Sequence, residues 1–152
     1  MSDRFFYVTY IRAPQETVFR ALIEPKFTRR YWSGTHQDCD WRVGSDWKLM
    51  LPDGRVGDAG KVLEYDPPRC FSVEWENQFL PELKDEGPSR LTVELETFGD
   101  AVRVTLTHEI DRDHSKLIAG VSQGWPMILA GLKTLLETGE GFAGADRWPE
   151  GR

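Results

Sequence analysis

Apolar and polar residues alternate along much of this chain, and where the alternation stops a helical period replaces it. Residues 4–12, rich in aromatic and β-branched side chains, predict a first strand. Pro14 follows, Glu16 supplies a first-turn negative charge, and Val18, Phe19 and Leu22 recur at helical spacing, so residues 14–23 predict a short helix. Pro25 ends it, and residues 25–32 predict a second short helix closing at Ser33-Gly34. From residue 36 the period becomes two. Short strands are expected at 37–42 and 46–51, and another at 59–65 after the Pro52-Asp53-Gly54 turn.

The clearest alternation comes next. Phe71, Val73 and Trp75 interleave with Ser72, Glu74 and Glu76, which predicts one buried and one wet face over 70–76. Leu91, Val93 and Leu95 repeat the pattern, and after the Phe98-Gly99-Asp100 turn so do Val102, Val104, Leu106, His108 and Ile110. Residues 80–88, charged and bounded by prolines, predict an exposed loop that could serve as a mobile lid. Ile118, Val121, Trp125, Ile128, Leu132 and Leu135 then step by three and four, with Leu129 and Leu136 widening the stripe. Pro126 lies inside this stripe, so the helix is expected to kink near 122–125 or restart there, and Gly139 to end it.

The order is therefore strand, two short helices, about six more strands and a long terminal helix. Only that helix is long enough to cover the apolar face of such a sheet. A gap between a curved sheet and one helix is either filled by side chains or left as a cavity.

The length of 152 residues suits one domain, expected over 1–139, followed by a Gly-rich charged tail over 140–152. With 39% hydrophobic and 29% charged residues, a packed core is possible. The net charge of −6 with scattered basic residues argues against nucleic acid as a partner. No run approaches the ~20 apolar residues of a membrane span, so no membrane partner is expected. The N-terminus has no signal-peptide pattern, and a cytoplasmic location is expected. Cys39 and Cys70 lack a metal or framework spacing; reduced, buried thiols fit them better than a disulfide.

Six tryptophans dominate the candidate chemistry. Trp32, Trp41, Trp75 and Trp125 either line a ligand cavity or fill the core, and Phe71, Leu106 and Leu129 complete the expected lining. The facing of Trp47 and Trp148 cannot be argued from the pattern. His108 shares a face with Val104 and Leu106; it is either a ligand anchor and general acid/base or, the reading preferred here, a core histidine bonded to a neighbour. Gly120-Val121-Ser122-Gln123-Gly124 matches the G-x-S-x-G nucleophile elbow, but it sits in a helical stripe with no histidine after it. His36, Asp38, Cys39 and Asp40 form a polar cluster that a strand would split between two faces, so no metal is expected, and Asp38 and Asp40 as exposed carboxylates make a poor acid/base pair. No cofactor is expected.

Several pieces together resemble the START/Bet v I-like (SRPBCC) superfamily, and within it the branch named after the activator of heat-shock protein 90 ATPase. They are Tyr10 to Pro14 with Val18 to Leu22, Tyr31-Trp32, Trp41 through Ser45, Gly60 to Glu64 with Asp66 to Arg69, the Trp75 strand, Ser89 to Thr92, and Gly124-Trp125-Pro126 with its leucines. The resemblance spans nearly all of residues 5–139. It implies an α+β helix-grip fold: a curved antiparallel sheet of about six to seven strands wrapped around a long C-terminal helix, with a cavity that commonly takes a hydrophobic small molecule. It implies less about activity, because one fold hosts many functions. A non-catalytic module binding a hydrophobic or amphipathic small molecule ranks first. A polyketide cyclase or dehydratase-like enzyme ranks second, because no complete catalytic constellation is visible. A chaperone-associated or self-associating module, with a homodimer as one form, ranks third. The eukaryotic co-chaperones of this branch carry a further N-terminal domain without a counterpart here, so a chaperone partner is expected less than a small molecule.

Overall fold

The alternating segments pair into one seven-stranded antiparallel sheet in the computed structural model, which describes residues 2–149. The strands are β1 (Asp3–Ile11), β2 (His36–Cys39), β3 (Asp46–Met50), β4 (Val56–Asp66), β5 (Cys70–Asn77), β6 (Ser89–Phe98) and β7 (Ala101–Ile110). Their spatial order is β1-β7-β6-β5-β4-β3-β2, so every neighbour except the β1–β7 pair is also a sequence neighbour. The helices are α1 (Gln15–Ile23), α2 (Pro25–Tyr31), the single turn α3 (Pro81–Lys84) and α4 (Lys116–Thr138). This is the helix-grip architecture.

The sheet bends where its residues permit. A Cβ on Gly60 would fall 1.8 Å from the Glu74 carbonyl oxygen, so only glycine lets β5 come this close to β4. A register shift between Val62 and Glu64 then changes the parity of β4. Val62 and Tyr65 consequently both join the inner aromatic and aliphatic core instead of opposite faces.

Four expectations change. Strand β2 stops at Cys39, and Trp41 takes φ 55°, which swings it out of the strand it was expected to join. Ser72, expected on the wet face, is wholly buried, a short side chain between Thr92 and Glu64 of the flanking strands. The helix α4 passes through Pro126 without restarting. Its Trp125, Leu129, Leu132 and Leu135 are all buried, and that continuous contact outweighs the one backbone bond proline removes.

The 80–88 segment is also more than an exposed loop. It contains α3, and its Glu86 carboxylate accepts from Ser115 Oγ (2.6 Å) and from the amides of Lys116 (2.8 Å) and Leu117 (3.4 Å). The first turn of α4 has no acidic residue of its own, so the loop supplies the charge its dipole favours. Burial would raise the Glu86 pKa, but these hydrogen bonds and Arg112 overcome it and hold the carboxyl below its ordinary value.

Beyond α4 the chain folds back. Ala145 is buried and its carbonyl accepts from the Ser33 amide at 2.8 Å, while Trp148 meets Phe79 edge-on with ring centres 5.8 Å apart. Residues 150–152 of the expected tail lie outside the described residues. No described helix is long and apolar enough to cross a membrane. Both cysteines are free thiols, Cys70 buried and Cys39 half-buried.

Candidate functional site

Helix α4 divides into two halves by what it touches. Its C-terminal half lies against α2, where a Cβ on Gly131 would stand 3.2 Å from Tyr31. The N-terminal half stands off from β3, β4 and β5. Between them is a cavity of about 360 Å³, bounded by Leu117, Gly120, Val121, Gly124, Trp125 and Ile128 on the helix. Gly120 and Gly124 would meet nothing within 4 Å if they carried a Cβ. Two mid-helix glycines cost helix stability, and here their missing side chains contribute open space rather than a close packing contact.

The inner wall is aromatic. Trp75 stacks on Trp32 at 6.3 Å and lies 5.8 Å from Trp125 and 5.0 Å from Trp47, ring centre to ring centre. Trp32 and Trp125 are 5.1 Å apart. These four indoles fill the middle of the grip, so the open volume lies beside them toward α3 and the returning tail. The rim is formed by Phe79, Leu80, Leu83, Met127 and Trp148. The lining runs from buried Trp75 to exposed Met127, so the cavity connects the interior to solvent.

One side of this apolar space is polar. Asp58 on β4 faces Asn77 on β5 and Leu49 on β3 across the ladder, and both polar residues are 5% exposed. Asn77 Nδ2 donates to Asp58 Oδ1 at 3.3 Å, and Asn77 Oδ1 accepts from the amides of Phe79 (3.2 Å) and Leu80 (2.8 Å). Asn77 therefore fixes both the carboxyl and the turn leading to the rim. Burial pushes the Asp58 carboxyl up to about 7, although Asn77 and the Trp75 indole N–H oppose the shift. The Trp75 N–H approaches this carboxyl without closing a hydrogen bond of ordinary geometry, and its nitrogen is buried without a partner. A buried polar group in that state is uncommon and marks a place where a ligand atom would be favoured.

His108 has a different fate. Indole nitrogen only donates, so Trp125 Nε1 gives its proton to His108 Nδ1 at 3.1 Å. The other ring nitrogen, Nε2, must then carry a hydrogen and donates to Ser89 Oγ at 2.9 Å. Ser89 passes its own proton to the Trp75 carbonyl at 2.8 Å. Every donor in this relay has an acceptor, and burial lowers the imidazole pKa to about 3. The ring is neutral and fully committed, as expected of a core histidine, and it holds Trp125 and the Trp75 strand in register.

Of the residues expected to line a cavity, Trp32, Trp75 and Trp125 do line this one. Trp41 and Phe71 lie elsewhere, in a cluster with Phe19 and Tyr65; Trp41 stacks on Tyr65 at 5.8 Å and meets Phe71 edge-on at 5.3 Å. Leu106, His108 and Leu129 are buried in the core behind the indoles. Ser122 is a helical residue whose hydroxyl donates to the Ala119 carbonyl at 2.7 Å, which is not the geometry of an elbow. His36 sits beside Arg29, 3.4 Å away, while Asp38 and Asp40 point into solvent.

Asp58 and Asn77 were not anticipated. Asp58 is two positions from Gly60 and four from Val62, so period two puts it on the inner face once β4 is begun at Val56. Asn77 has the parity of Trp75 and Val73. Both fall just past the expected strand ends, where Gly57 and polar neighbours look like turn. A larger depression of about 490 Å³ on the outside of the sheet is lined by Gln15, Arg69, Glu94, Glu96 and Arg103. It lacks aromatic walls, and both of its arginines are engaged in surface pairs, Arg103 with Glu96 and Arg69 with Asp66.

Comparison with known proteins matches the fold. The sequence model of the family described as Activator of Hsp90 ATPase homolog 1-like protein matches residues 12–137. No curated protein sequence matches the chain. Among solved structures, protein MLL2253 of Mesorhizobium loti superposes with a TM-score of 0.76 at 22% identity, covering 89% of this chain and 97% of that one. The Aha1 dimer of Colwellia psychrerythraea gives 0.72 at 21%, covering 91% and 99%. CalU16 of Micromonospora echinospora gives 0.73 at 21%, covering 96% and 81%. At such identities these three share the fold.

Proposed function

The chain belongs to the Activator of Hsp90 ATPase homolog 1-like family, and from that fold and the chemistry of its cavity we propose that it holds a hydrophobic or amphipathic small molecule without transforming it. The observation that carries this reading is the buried polar pair Asp58–Asn77 set in a mainly apolar and aromatic cavity that reaches solvent. Small-molecule sites have this composition: broad apolar walls for affinity and a few fixed polar groups for orientation. The volume, about 360 Å³, falls at the small end of ordinary ligand pockets. A tryptophan-fluorescence titration against lipids, flavonoids and polyketides should give saturable quenching by at least one class. Gly124→Leu, which pushes a side chain into the cavity, should weaken it. Absence of saturable quenching by every compound would remove the proposal.

One observation favours a second reading, acid/base catalysis on the bound molecule. Asp58 is an acid with a pKa of about 7 in a site that solvent can reach, which suits proton transfer near neutral pH. On any confirmed substrate, Asp58→Asn would then lower kcat by roughly 10²-fold or more. Recovery of the bound molecule unaltered after prolonged incubation would leave carriage alone.

A further inference from the structure

The cavity has one end that is not neutral, and it names a class of head group. Asp58 is the single titratable side chain among the residues lining it. Its cross-strand partners are Leu49 on β3 and Asn77 on β5, and the rest of the lining, Trp75 on β5, Leu80 and Leu83 at α3, and Gln123 and Trp125 on α4 among them, carries no charge. No described cation neutralises it: the influences on its proton are burial, Asn77 and the Trp75 indole. A carboxylate placed in apolar surroundings without a counter-charge is a costly arrangement, and it is relieved by a partner carrying positive charge.

The surrounding rings fit the same partner. Trp32, Trp75 and Trp125 border the cavity from inside, and Phe79 and Trp148, packed edge to face, border it at the rim. Aromatic faces attract cations through their quadrupole, most strongly where water is excluded, and tryptophan does so best. An anionic head group would meet the buried carboxylate among aromatic rings with no lysine or arginine in the lining. Arg55, outside the lining, lies over the rim ring of Phe79 at 5.6 Å, so the indoles deeper in are the rings left to a ligand cation. A neutral alcohol would gain a hydrogen bond but leave the charge uncompensated whenever Asp58 is ionised.

We propose that the cavity selects organic cations, an ammonium or quaternary ammonium head seated at Asp58 with an apolar body lying between α4 and the indole wall. The proposal rests on the ligand-binding reading above and specifies its ligand class. Because burial keeps the Asp58 acid largely protonated below neutrality, a permanently charged ligand must displace that proton. Its affinity should therefore rise with pH until Asp58 is ionised, while neutral ligands stay indifferent to pH.

Three probes of equal chain length separate the possibilities: octyltrimethylammonium, octanol and octanoate, each titrated into the full chain at pH 6 and pH 8.5 with tryptophan fluorescence as the readout. Octyltrimethylammonium should bind roughly tenfold tighter than octanol at pH 8.5. Its own affinity should fall roughly tenfold at pH 6, the fraction by which Asp58 ionisation falls. Asp58→Asn should erase both differences while octanol still binds; should that variant misfold, the pH series on the unmodified chain decides alone. Octanol or octanoate binding as tightly as the cation at pH 8.5 would overturn the cation assignment and leave the carrier reading intact. No binding by any probe would overturn both.

Discussion

Two buried titratable residues act on stability in opposite directions. His108 takes up a proton at about 6.5 in an unfolded chain but only near 3 when folded, so acidification between those values favours unfolding. Asp58 loses its proton near 3.8 unfolded but near 7 folded, so raising the pH between those values favours unfolding. Over pH 4–6.5 the two slopes, each roughly 1 kcal/mol per pH unit, oppose one another. Urea melts should separate them. With His108→Asn the stability should fall as pH rises across this window, and with Asp58→Asn it should rise. At pH 8.5, Asp58→Asn should exceed the unmodified chain in stability by more than ~1 kcal/mol, since it removes an uncompensated buried charge. Identical slopes in both variants would refute this assignment. A residue kept at such a cost is the kind found at functional sites.

Among the elements, α4 and β4 concentrate the testable geometry. Gly124→Ala should stabilise α4 by ~0.5–1 kcal/mol, because the added Cβ meets nothing and the helix gains propensity. Gly60→Ala should do the reverse, by at least ~2 kcal/mol, since the Glu74 carbonyl occupies the space the methyl needs. Thermal melts of the pair give the two signs directly. Glu86→Gln should lower the urea midpoint by the equivalent of ~1 kcal/mol and speed amide exchange at Lys116 and Leu117, the donors it now engages. Unchanged exchange there would mean the loop does not hold the helix start. The elements themselves were legible in the sequence, because alternation in β5, β6 and β7 and the three-four stripe of α4 each record a single buried face. Their ends were not. Asp58 and Asn77 sit where a strand passes into a turn, and composition there resembles the turn although parity already points inward.

At the scale of the whole molecule, the order of elements sufficed to place one helix across one sheet, which is the observed grip. The cavity's position was beyond such reasoning. Four indoles settle the middle, and their packing depends on rotamers and on Gln37, whose Oε1 accepts from Trp47 Nε1 at 2.9 Å while its Nε2 donates to the Leu22 carbonyl at 2.7 Å. Trp41 departs from the expected set for a related reason: its left-handed backbone is a local event that strand periodicity does not encode.

The indole cluster also governs how this protein answers light. With Trp47, Trp75, Trp32 and Trp125 all within one ring contact of another member, excitation absorbed by any of them migrates among the four before emission. A molecule touching one face therefore dims the whole set, and a binding experiment gains amplitude while losing the power to say which ring was touched. Replacing Trp148, at the mouth and outside that cluster, by phenylalanine would provide the spectral contrast needed to tell arrival at the entrance from residence inside.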